Sequence, residues 1–402
     1  MERSRQLNGG SHDRHASLQS AVWLCLAIVL NTAFLAAADE VDDALATIAK
    51  AGPEGTGSVE ARKARDRLAD QGTDILPKLL AAMDTKNLVA ANWCRTAYEE
   101  ITARELAQDS PDFPLEALKT NAADPARQGR VRRLTLALLD RLEPSFRAEL
   151  IPTLLDDPEF RTDAVQAALD AGAKAEAADE REQAIAEYRK AFEHSRAADQ
   201  ATRSAARLKA LGEEADIVAH LGFVVDWRLL GPFDAPEYSG FAQIFPPEEE
   251  QPPDFRAEYA GKNGKTIHWR RFRTDDPLGQ LNLIDAVAPV REAVGFAYSE
   301  FDSPREIDAQ LRCGADDNCT VWLNGERVFG REQWLNGTRL DRFRAPVHLR
   351  QGKNGLLVKI CQGPQHKDPQ VPNNWSLQLR FCDETGVGLG LTSALSAECE
   401  GK

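Results

Sequence analysis

The sequence predicts two folds in series: an α-helical solenoid of HEAT/TPR-like repeats, then an antiparallel β-sandwich of jelly-roll type. Three observations carry this. From Val41 to His220 the chain is rich in Ala, Leu, Arg and Glu, with apolar residues at helical spacing. Composition then changes at Leu221–Phe223, and Trp227, Trp269, Trp322, Trp334 and Trp375 all follow it. Beyond that point short alternating apolar runs are punctuated by Gly, Pro and Asn, the pattern of strands and turns. A length of 402 residues suits two domains, each able to bury a core of its own.

Residues 1–38 read as an export signal. Arg3, Arg5 and Arg14 precede an apolar run from Ala21 to Leu30, and Ala36-Ala37-Ala38 supplies small residues where signal peptidase reads, placing cleavage before Asp39. The alternative, an uncleaved anchor, must accommodate Asn31 and Thr32 inside the apolar run. His12 and His15 lie in this leader and are not a metal pair. The expected destination is secreted or periplasmic, with no membrane attachment after cleavage. The net charge of −14, near −15 once the leader is removed, argues against nucleic acid or anionic membrane as partners, because no basic stripe neutralises phosphates.

Residues 39–220 are the expected helical domain. Apolar residues recur at helical spacing in 59–68, 75–83, 89–106, 131–142, 146–155 and 164–171, with breaks at Gly72-Thr73-Asp74, Asp109-Ser110-Pro111, Asp124-Pro125 and Asp157-Pro158. Alternating helices and short turns suggest a solenoid with degenerate HEAT-like spacing, and Arg181–Phe192 reads as a TPR-type helix. Such arrays present surfaces to protein partners; their charged residues form a solvated face.

Residues 221–390 are the expected sandwich, with 391–402 a flexible tail. Strands are expected near 224–230, 266–272, 295–301, 306–313, 319–323, 327–329, 341–349, 355–361 and 375–382. The proline-rich acidic stretch Phe245–Pro253 reads as an extended loop. Ala309, Leu311 and Cys313 share an inward parity with Cys319, Val321 and Leu323; Leu356, Val358 and Ile360 form another wall with Trp375, Leu377, Leu379 and Phe381. Asn324-Gly325 supplies a two-residue type I′ turn. Trp227, Trp269 and Trp375 are expected in the core, whereas Trp322 has outward parity, where a second layer or the helical domain could cover it. Cys313 and Cys319 flank a five-residue loop and are expected opposite each other in a hairpin, as a disulfide or as two buried thiols. No C-x-x-C pair or zinc-finger spacing occurs, which excludes a structural zinc site of the usual kinds.

The stretches Asp226–Asp234, Gly314–Asp317, Val321–Gly325 and Gln351–Gly355 resemble the galactose-binding-like sandwich seen as the sugar-binding domain of family 2 glycoside hydrolases. The whole layout resembles exported planctomycete proteins in which HEAT-like helices precede such a module. The likeness covers roughly residues 215–386 and implies a sandwich that binds a glycan, a cell-surface polymer or a protein. Asp316 and Asp317 resemble the acidic pair that holds calcium in related adhesin-like sandwiches; with Asn318 and loop carbonyls they could ligate calcium, or they cap their own turn. Trp334, with Asn336 beside it in loop 330–338, is either a platform for a sugar ring or an anchor for the loop. His366 and Asp368, in loop 362–374, form a candidate ligand-contacting rim or a plain surface loop. Asn318, Asn336 and Asn374 head glycosylation triplets that matter only in a eukaryotic secretory pathway.

No nucleophile elbow, zincin, phosphate-binding or dinucleotide motif is present, and the histidines after the leader are scattered singly. The expectation is therefore an exported binding protein without catalysis of its own and with no cofactor other than calcium. Its sandwich recognises a carbohydrate or surface polymer, and its helices hold a protein. A scaffold contacting only proteins is the alternative; a hydrolase would need a cleft joining Asp316 or Asp317 to a second acid.

Overall fold

The computed structural model describes residues 40–332, 334, 337–368 and 370–397, without side chains for the last two. Residues 1–38, expected to be an export signal and containing Cys25, lie outside these residues, as do Asn336, Cys399 and the end of the tail. The chain divides into two compact units, one ending at Thr153 and the other starting at Leu154. The composition change at Leu221 therefore marks the switch from helix to strand inside the second unit, because the helices of residues 161–221 belong with the sheets.

The first unit is helical: α1 (40–49), α2 (Ser58–Ala69), α3 (Leu76–Met83), α4 (Leu88–Leu106), α5 (Leu115–Ala123), α6 (Gly129–Leu142) and α7 (Pro144–Leu150). The side chain of Asn87 starts α4 by accepting from the N–H groups of Val89 and Ala90, both at 3.2 Å, the usual use of Asn before a helix. Ala90, Cys94, Ala97, Tyr98 and Ile101 then recur on its buried face. Burial in this apolar seam pushes the Cys94 thiol up to about 11.

The second unit opens with α8 (Arg161–Ala177), α9 (Arg181–His194), α10 (Ala198–Ala210) and the short α11 (Ile217–Leu221). The Asp157 carboxylate accepts from the N–H groups of Glu159 and Phe160 ahead of α8, so the Asp-Asp-Pro stretch does launch a helix. Strands follow: β1 (Asp226–Asp234), β2 (Glu258–Ala260), β3 (Thr266–His268), β4 (Arg270–Arg273), β5 (Leu281–Asn282), β6 (Ala293–Ser303), β7 (Ile307–Ala315), β8 (Cys319–Leu323), β9 (Glu326–Arg331), β10 (Phe343–Leu349), β11 (Gly352–Gln362), β12 (Ser376–Cys382) and β13 (Thr392–Ser393). They form a larger sheet in the order β4-β1-β6-β11-β8-β9, with β13 on β6, and a smaller one in the order β10-β7-β12-β5; β2 and β3 make a separate ribbon. All pairings are antiparallel.

The two sheets enclose one core. Leu311 and Cys313 of β7 and Leu377, Leu379 and Phe381 of β12 meet Val321 of β8 and Leu356, Val358 and Ile360 of β11 there. The inward parities read from sequence are all found, and Trp375 lies fully buried with its indole N–H donating to Ile360 O. Asn324 and Gly325 both have positive φ, 54° and 85°, and close the β8–β9 turn. The Asn324 amide then binds the buried Asn354 side chain at 2.9 Å, which fixes the turn before β11 at the same end of the sheet.

Three expectations are corrected. The strand expected over 266–272 breaks at Trp269: β3 pairs with β2, and β4 with β1. The strand–acidic turn–strand around Asp316 is not a hairpin, because β7 belongs to the smaller sheet and β8 to the larger. Cys313 and Cys319 thus face each other across the core, as free thiols joined by a hydrogen bond that, with burial, holds the Cys319 thiol well above its ordinary value. Finally, Phe245–Pro253 is not simply extended. Residues Pro246–Glu249 form one helical turn, and the Glu248 carboxylate accepts from Phe245 N–H.

That turn belongs to a second apolar layer on the outer face of the larger sheet. Phe233, Phe245, Ile267, Trp269, Phe296 and Tyr298 build it, with Trp322 partly buried against them, as its outward parity allows. At its centre lies Lys359 of β11, 1% exposed, whose ammonium reaches Glu248 at 2.9 Å, Gln243 O at 2.5 Å and Phe241 O at 3.2 Å.

Candidate functional site

One end of the sandwich gathers the start of β6, the end of β7, the start of β8 and the ends of β9 and β11, because antiparallel pairing places Gln362 beside Ala293 and Cys319 beside Arg331. The loops that leave this end enclose a cleft of about 320 Å³, within the range of small-molecule sites. Tyr238 comes from the loop after β1, Arg291 from the residues before β6, Asp316 and Asp317 from the β7–β8 crossover, Trp334 from the loop after β9, and His366 and Lys367 from the loop after β11.

Each wall is fixed by identifiable bonds. Glu292 organises the first: its carboxylate accepts from Glu237 N–H at 2.6 Å, its carbonyl from Ala235 N–H, and its own N–H donates to Gly363 O. Tyr238 is thereby held at the mouth, 54% exposed, edge-on to Trp334 with ring centroids 4.6 Å apart. Trp334 is half-buried and lies against the backbone of Gly363, where a Cβ would sit 3.0 Å from the indole. A side chain there would require the indole to shift by a few tenths of an ångström. Trp334 therefore anchors its loop and lines the cleft at once, while the ring open to solvent is that of Tyr238.

The two aspartates act in opposite directions. Asp316 accepts from Gly337 N–H in the loop after β9; Asp317 accepts from Gly363 N–H in the loop after β11 at 2.8 Å. Asp316 is 4% exposed, and burial pushes its carboxyl up to about 7. The nearby Asp317 charge adds to that rise, while the Gly337 N–H, Arg342 and Arg291 oppose it. Asn318 is fully buried and its carbonyl accepts from Cys361 N–H, so its side chain is not presented to the cleft or to a glycosylating enzyme. Among the described residues no group of three or more His, Cys, Asp or Glu is placed to hold a metal. Asp316 and Asp317 each tie one loop through a backbone N–H.

Of the residues expected from sequence, Trp334, His366, Asp316 and Asp317 converge on this cleft. Asp368 does not: its carboxylate accepts from Gln370 N–H and its own N–H donates to His366 Nδ1, which makes it a turn residue that orients His366. Tyr238, Arg291, Gln362 and Lys367 were not anticipated. The signal for Tyr238 was a lone aromatic in the polar Pro236–Gly240 stretch; nothing local marked Arg291. No carboxylate other than Asp316 and Asp317 lines the cleft among the described residues.

No family model matches the sequence, and no curated protein does. Among the described residues no helix is long and apolar enough to cross a membrane. Solved structures similar to the chain include the β-glucosidase of Kluyveromyces marxianus in complex with glucose, 12% identical over 39% of this chain and 16% of that one, TM-score 0.25. A family 2 β-galacturonidase of Eisenbergiella tayi bound to glycerol is 12% identical over 40% and 25%, TM-score 0.22. The β-glucuronidase of Faecalibacterium prausnitzii is 12% identical over 40% and 31%, TM-score 0.24. This chain spans less than a third of each of these proteins. With TM-scores below 0.5, the likenesses carry no argument about its activity.

Proposed function

We propose that the chain is an exported, non-catalytic binding protein whose galactose-binding-like sandwich recognises a carbohydrate or cell-surface polymer through this cleft, and whose helical repeats hold a protein partner. The observation that carries the reading is the exposed Tyr238 ring beside Trp334, at the mouth of a cleft whose remaining lining is mostly polar. Such a pairing offers an apolar platform for a sugar face and hydrogen bonds for its edge. In isothermal titration of a glycan that binds, Tyr238→Ala should weaken affinity about tenfold or more, and Trp334→Ala should do the same while also loosening the loop. A glycan array without a hit, or a hit indifferent to both substitutions, would sink the carbohydrate reading.

The scaffold alternative draws on a different feature, an open groove of about 640 Å³ along α8 and α10, lined by Leu169, Ala173, Tyr188 and Ala206. It rises in standing if an array hit is missing and the Tyr238 cleft is inert.

Export has a covalent consequence. In an oxidising compartment the Cys313 and Cys319 thiols, already in contact, would lose two protons and two electrons to a disulfide donor and form one S–S bond linking the sheets. Alkylation in denaturant without reductant, on protein purified from such a compartment, should then label Cys94, Cys361, Cys382 and Cys399 and spare Cys313 and Cys319. Full labelling of Cys313 and Cys319 refutes the bond.

A further inference from the structure

Resting on the carbohydrate reading just given, we infer that the cleft is built for an acidic sugar, a uronate-type residue whose carboxylate is held by Arg291 and Lys367. The charges within the cleft are unevenly satisfied. Asp316 and Asp317 each accept a backbone N–H and serve the loops. The side chains of Arg291 and Lys367 make no hydrogen bond or ion pair among the described residues, although both line the cleft. Arg291 is half-buried, and it meets the nearby Asp316 carboxyl through charge alone, with no hydrogen bond or ion pair, so the donors of its guanidinium remain open to a ligand. A ligand carboxylate offers two parallel acceptors to that planar fork, and Lys367 adds a second positive charge.

A second, independent feature points to hydroxyl groups on the same ligand. Gln362 is 3% exposed and lines the cleft; its amide N–H donates to Asn373, but its Oε1 has no partner among the described residues. A buried acceptor left empty is costly, and a turn of the amide toward the cleft would let a sugar hydroxyl supply the donor it lacks. Together with the Tyr238 ring, the lining asks for an apolar ring face, a hydroxyl donor and a carboxylate on one small unit. A neutral sugar supplies the first two and leaves the donors of Arg291 and Lys367 without a charged acceptor at hydrogen-bond distance. An acidic peptide supplies the carboxylate and lacks the array of hydroxyls. The net charge of −14 does not oppose the match, since at physiological ionic strength charges beyond about 8 Å are largely screened.

The test is calorimetric titration of the full chain with hexameric uronates of the manno, gluco and galacto series, with their neutral hexaoses, and with hexaglutamate. At least one uronate hexamer should bind about tenfold more tightly than its neutral counterpart and than hexaglutamate, and its affinity should fall as sodium chloride rises. Arg291→Gln and Lys367→Gln should each bring the uronate-to-neutral affinity ratio toward one; Lys353→Gln, a charge change outside the cleft, should leave that ratio alone. Circular dichroism confirms that each variant is folded. Equal binding of neutral and acidic hexamers, or a ratio untouched by both substitutions, overturns the acidic-sugar assignment and leaves the broader carbohydrate reading standing. Hexaglutamate binding as tightly as the uronates also overturns it, in favour of an acidic peptide. If no saccharide of either kind binds the folded protein, both readings fall.

Discussion

Lys359→Ala should lower stability by about 3–5 kcal/mol, read as a shift of the urea midpoint with unchanged slope. The substitution strands the Glu248 carboxylate, which is 12% exposed, and the carbonyls of Phe241 and Gln243 with no ammonium to receive them. It also removes the cation that lies 5.2 Å from the centre of the Phe245 ring. Removing both charges together is a different experiment. The pair Lys359→Met and Glu248→Leu should recover most of the loss, because a buried ion pair replaced by apolar side chains of similar volume is often neutral. A loss under about 1 kcal/mol for Lys359→Ala would show that the outer layer is not held by this ammonium. Since Tyr238 shares a loop with Phe241 and Gln243, the same substitution should weaken ligand binding without touching the cleft.

Asp316→Asn should stabilise the protein at pH 8 by up to about 4 kcal/mol, and by progressively less as pH falls. The sign follows from the direction of the shift. Burial raises the folded-state carboxyl to about 7 from an ordinary value of 3.8. Between those two values the fold holds a proton that the unfolded chain releases, so the native protein loses stability as pH rises through that window and regains it below. Asparagine keeps an oxygen to accept from Gly337 N–H and cannot ionise. The gain over the native protein should shrink by roughly 1.4 kcal/mol per unit between pH 7 and pH 4. Urea midpoints for the two proteins at pH 5, 6, 7 and 8 decide the matter; a difference independent of pH would mean that Asp316 ionises normally.

Both effects sit where the sequence was least informative. With Val358 and Ile360 inward, period-two alternation leaves Lys359 on the outer face of β11, where a lysine ordinarily reaches solvent. What buries it is a layer contributed by residues more than a hundred positions earlier, and no local pattern announces such a cover. Parity also assigned Cys313 and Cys319 correctly to the interior. It could not tell a hairpin from a crossover, because both put the same side chains inward; only strand pairing shows that β7 and β8 belong to different sheets. The core walls of β11 and β12 were legible because alternation over several residues leaves one solution. The site was legible in part. Trp334 and His366 advertised themselves as an aromatic and a titratable group in polar loops, whereas Arg291 became a site residue only when antiparallel pairing brought the start of β6 to the ends of β9 and β11. Asp368, read as part of a ligand-contacting rim or of a plain surface loop, bonds within its own turn, and the sequence does not separate the two uses.

The opposed bonds of Asp316 and Asp317 have a mechanical meaning. Two successive side chains reach to the two loops that face each other across the cleft, so both walls hang from a single dipeptide. The width of the opening is then a property of the crossover between the sheets and not of either loop alone. A lengthened loop on one side should change what lines the cleft but not its gauge. A change at the crossover should move both walls at once, which makes that dipeptide the place where evolution or design would retune the size of the unit admitted.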